Sequence, residues 1–120
     1  MSFEQELNKV AYGRIEPAGI RAVADRLAAM APRFTAPVRE GLAPLLGGRA
    51  LEDIARGMQR ALDPARQREE ARRLNDLGPD AEPTSAQLAE AAEYLLLEAT
   101  SPLASNPDLR NRLLALDRLY

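Results

Sequence analysis

The sequence predicts an all-α fold: a bundle of about six to seven short helices and no sheet. Three observations predict it. Apolar residues recur at helical spacing along most of the chain, caps and breakers fall between the recurring stretches, and no window of comparable length alternates apolar with polar residues. With 120 residues, 46% of them hydrophobic, the chain can build one core and is too short for two domains of ordinary size. Alanine supplies much of that fraction. The aromatic residues are Phe3, Tyr12, Phe34, Tyr94 and Tyr120, so the side-chain volume available for burial is modest.

The first helix is expected to begin near Ser2. A second starts near Pro17, where Ile20, Val23, Ala24, Leu27 and Ala31 form one stripe. A third begins near Thr35, carries a distorting Pro44, and is closed by Gly47-Gly48, because glycine takes the left-handed cap conformation without steric cost. The fourth, near Ala50, has the clearest pattern: Leu51, Ile54, Ala55, Met58, Ala61 and Leu62 share a face. Glu52 and Asp53 lie in its first turn, where negative charge offsets the helix dipole. Asp63-Pro64 opens the fifth helix, and Asp76 to Pro83, with Gly78-Pro79 and Glu82-Pro83, reads as an irregular connection. Thr84 begins the sixth through a Thr-x-x-Gln capping box with Gln87.

Asn106-Pro107 starts the seventh helix. The asparagine can accept an orphan amide, proline sits where no donor is needed, and Asp108 complements the dipole. Leu109, Leu113, Leu116 and Tyr120 fall on one face of this helix, and no glycine, proline or basic cap closes it. The chain is therefore expected to be a segment of a longer one, with that apolar face left exposed as a contact surface.

Composition narrows the chemistry. Without cysteine there is no disulfide scaffold, thiolate zinc site or thiol nucleophile. Without histidine the usual base near neutral pH and the commonest metal ligand are missing as well. Carboxylates remain, but Glu52-Asp53 and Glu69-Glu70 are adjacent pairs, and neighbours on a helix point about 100° apart and do not share a site. Leu46-Gly47-Gly48-Arg49 lacks the lysine and preceding strand of a phosphate loop. Catalytic residues, cofactor and metal are accordingly all expected to be absent. Met1 to Val10 carries Glu4, Glu6 and Lys9 where a signal peptide needs an apolar run, and no apolar run reaches spanning length, so a cytoplasmic protein without a membrane partner is expected.

Two segments invite a nucleic-acid reading. Arg66, Arg68, Arg72 and Arg73 lie on the fifth helix together with Glu69 and Glu70. Helical spacing pairs Glu69 with Arg72 and Arg73, and Arg66 with Glu70, so a solvated, locally neutralised face is the plainer reading. A net charge of −2 also argues against a phosphate-gripping surface. Leu51 to Met58 could open a helix-turn-helix, but Gln59 takes the position where the turn glycine is expected, and the helix at Pro64 begins too late for a short turn.

From residue 49 to 120 the chain resembles the helical C-terminal region of the restriction subunit of type I restriction-modification systems and of related helicase-like restriction proteins. The matching residues are Leu51-Glu52-Asp53-Ile54, Ala61-Leu62-Asp63-Pro64, and Glu82-Pro83-Thr84 leading to Gln87. Then follows Pro102-Leu103-Ala104-Ser105-Asn106-Pro107-Asp108-Leu109-Arg110, with Leu113 beyond it. Residues 1–48 carry no such signature. The resemblance implies a non-catalytic segment that docks an ATP-driven DNA translocase onto its methyltransferase and specificity partners in phage defence, with DNA contacted only through the complex. It marks Asn106, Pro107, Leu109, Arg110 and Leu113, with Leu116 and Tyr120 on the same helix, as candidate partner contacts. A small DNA-binding or regulatory domain using Arg66, Arg68, Arg72 and Arg73 is the competing expectation.

Overall fold

The computed structural model describes residues 2–120. Among these residues seven α-helices follow one another: α1 (Phe3–Ala11), α2 (Pro17–Met30), α3 (Ala36–Leu46), α4 (Leu51–Ala61), α5 (Pro64–Leu74), α6 (Ser85–Ala104) and α7 (Pro107–Leu119). A single 3-10 turn, Ala31–Arg33, extends α2, and no strand occurs among the described residues. The helix starts follow local chemistry. Ser2 Oγ accepts from the Gln5 amide while the Gln5 side chain accepts from the Ser2 amide, a reciprocal capping box that Thr84 and Gln87 repeat at α6. Asp63 accepts from the Ala65 amide at 3.0 Å, ahead of Pro64 in the first turn. Gly47, at φ 57°, ends α3 in the left-handed conformation, and α3 runs through Pro44 into that cap.

The core is built where α2 crosses α4, with α1, the second half of α6 and α7 packed around them. Leu7, Val23, Leu27, Met30, Met58, Leu103 and Leu113 are completely buried there. Residues from both 1–48 and 49–120 enter this one cluster. The pairing of α5 with the first half of α6 stands apart from it. Their seam is made by Ala71 and Ala91, both fully buried yet outside the main cluster, and small side chains let the two helices approach closely. This pair projects as an arm, which explains a radius of gyration of 15.6 Å and a long dimension of 49 Å. A globular chain of this length would have a radius near 13.6 Å, roughly.

The α7 stripe corrects an expectation. Leu109, Leu113 and Leu116 are only 1%, 0% and 6% exposed, so the stripe is part of the chain's own core and not an open contact surface. Tyr120 packs edge-on against Phe34, with ring centres 5.3 Å apart, and the Arg33 guanidinium lies over its ring. Helix α7 is further tied to α2 by Arg26, which donates to the Asp117 carboxylate at 2.6 Å and to the Asp117 carbonyl at 3.2 Å.

Candidate functional site

The residues marked at the start of α7 hold the fold together. The Asn106 side-chain oxygen accepts from the Leu109 amide at 3.0 Å, and its Nδ2 donates to the Leu45 carbonyl at 3.0 Å, so one side chain both caps α7 and fastens the end of α3 to it. Pro107 fills the first helical position. Arg110 reaches back to donate to the Leu103 and Ala104 carbonyls at 2.9 and 2.7 Å, adding to the Asn106 amide that reaches Leu103 and closing the end of α6.

The arginines of α5 are brought together, each with a carboxylate. Arg66 pairs with Glu70 at 3.1 Å and Arg73 also pairs with Glu70; Arg68 and Arg72 reach Glu82 in the following connection at 3.8 and 3.7 Å. Arg72 Nε additionally donates to the Ala81 carbonyl at 3.0 Å, closing that loop onto the helix. The pairing expected for Glu69 is not formed. Glu70 takes both partners because it lies on the inward side of α5, 2% exposed, whereas Glu69 faces solvent. The hydrogen bond from Arg73 holds the Glu70 carboxyl below its ordinary value of 4.5, desolvation opposes this, and Arg66 adds to the lowering.

A second buried carboxylate, Glu6, sits under the first turn of α2. A Cβ at Gly19 would overlap its Oε2, so a larger residue there would require the Glu6 carboxylate to move aside. Lys9 bridges Glu6 at 3.3 Å and Glu16 at 3.2 Å, and its ammonium pKa is raised, first by Glu16 and then by Glu6. Among the described residues no three metal-ligating side chains converge, and no helix is long and apolar enough to cross a membrane.

The surface that the sequence reading missed lies on α6. Tyr94 and Leu97 are 45% and 43% exposed, one turn apart, and face a groove of about 760 Å³. Leu45, Leu46 and Arg49 line it opposite α6, and the buried Ile54 and Leu109 also contribute to its lining. Arg49, Ile54 and Glu98 also line a neighbouring stretch of about 290 Å³ that continues past Leu95 and Ala99 to Arg60 and Arg66. The signal in the sequence was the run Tyr94-Leu95-Leu96-Leu97. Successive residues on a helix turn by about 100°, so four consecutive apolar residues cannot all face one core. Here Leu95 and Leu96 are buried and the outer two are left in the groove. No protein-family model, curated protein or solved structure matches this chain.

Proposed function

We propose that the chain is a non-catalytic helical assembly module that joins larger protein subunits through the open side of α6. The observation that carries this reading is the pair Tyr94 and Leu97, exposed side by side in a walled groove while the other long apolar stripes are turned inward. A tyrosine and a leucine exposed together in a concave surface of mixed polarity are what a protein interface buries at its centre. In the form that the resemblance supplies, the module belongs to a cytoplasmic DNA translocase subunit and docks it onto methyltransferase and specificity partners. Nucleotide and metal chemistry then belong to other parts of that assembly. The competing DNA-binding reading is disfavoured by the carboxylate beside each of Arg66, Arg68, Arg72 and Arg73.

The test is sedimentation of the purified chain with a type I methyltransferase–specificity assembly encoded by the same genome. A joint complex that Tyr94→Glu with Leu97→Glu removes, without loss of helicity, supports the proposal. Absence of a complex rejects the restriction form, and turnover of a substrate by the isolated chain rejects the module reading itself.

A further inference from the structure

We infer that the occupant of the α6 groove is a second copy of this chain, related by a two-fold axis that runs along the groove. The inference rests on reading that groove as a docking surface, and it commits the partner's identity.

The groove has walls of opposite charge. On the α6 wall stands Glu98, exposed and without an ion pair among the described residues, and α6 carries no basic residue. On the other wall stand Arg49 and Arg60, neither of which forms an ion pair among the described residues. The remaining charges in the groove are already answered within the chain: Asp53 by Arg56, and Arg66 by Glu70. An unrelated partner needs only the complement of such a patch. A two-fold self-contact instead requires both members of each pair on one surface, because the same patch faces itself. This groove supplies both, with Tyr94 and Leu97 beside Glu98 as the apolar part of the α6 wall.

Charge also fixes the orientation. With the axis along the groove, the arginine wall of one copy lies over the carboxylate wall of the other. With the axis across the groove, arginine would face arginine and glutamate would face glutamate. The two α6 helices therefore run in the same direction on opposite sides of the axis, with Tyr94 and Leu97 of each copy against the wall of Leu45 and Leu46 on the other.

Sedimentation equilibrium of the full chain tests this, with circular dichroism to confirm that each variant is folded. The wild type is expected to dimerise, and Tyr94→Glu with Leu97→Glu to be monomeric. Glu98→Arg alone should weaken the dimer about tenfold or more, since the altered contact occurs twice, and adding Arg49→Glu should restore it. A wild type that stays monomeric at millimolar concentration overturns the inference. So does a dimer indifferent to Tyr94, Leu97 and the charge reversal. A monomer that still binds the methyltransferase–specificity assembly through Tyr94 and Leu97 overturns only the second-copy occupant, and a dimer that does not bind it overturns only the restriction form.

Discussion

Asn106 carries two hydrogen bonds on one side chain, a cap for α7 and a donor to the Leu45 carbonyl, and these can be separated by mutation. Asn106→Ala should cost about 2 kcal/mol, the sum of a lost cap and a lost cross-helix bond, whereas Asn106→Asp keeps the cap and should cost about half as much. Urea unfolding of the two variants checks the ratio. The Glu70 carboxyl predicts a pH dependence. Its folded pKa is depressed, chiefly by Arg73, so its contribution is present above the ordinary value of 4.5 and is lost as pH falls through the lower folded value. The stability gap between wild type and Glu70→Gln should accordingly shrink on acidification below 4.5, and a gap that widens there would contradict the assignment. At this scale the sequence was readable where chemistry is local. The caps at Asp63, Thr84 and Asn106 each involve residues two or three positions away. Glu70 was not readable, because its burial is decided by α6 lying across α5 at Ala71 and Ala91, distant residues that no local spacing reports.

Helices are legible as elements for the same reason, and their orientation is not. Periodicity identifies the stripe on α7, yet the same stripe suits an external partner or an internal one. The choice was made by α1, α3 and α6, which together cover it. Leu113→Ala should therefore behave as a core truncation, costing about 2–5 kcal/mol with no separate effect on assembly in the folded fraction. Thermal unfolding alongside sedimentation distinguishes that from a contact residue, which would weaken association at unchanged stability. Helix α6 shows the converse. Its apolar run has more side chains than its neighbours can cover, and α4, α5 and α7 leave Tyr94 and Leu97 on the open side. Gly19 belongs to the same class, since its small size matters only because Glu6 from α1 comes to rest against it.

For the whole molecule, the picture is a helical body with an α5–α6 arm and a groove beside α6 whose walls differ in charge. Net charge and the pairing of the α5 arginines predict that duplex DNA is bound weakly if at all. Replacing Arg66, Arg68, Arg72 and Arg73 with glutamine should leave the salt dependence of any residual binding unchanged, which a fluorescence titration across ionic strength measures. The most direct test of the central claim, that assembly uses α6 and not α7, is amide hydrogen exchange of the chain in its dissociated and assembled states. The account predicts new protection confined to the turns around Tyr94 to Ser101 and the wall from Leu45 to Arg49, with Leu109 to Leu116 already slow and unchanged. New protection across Leu109 to Leu116, with α6 unaltered, would contradict it.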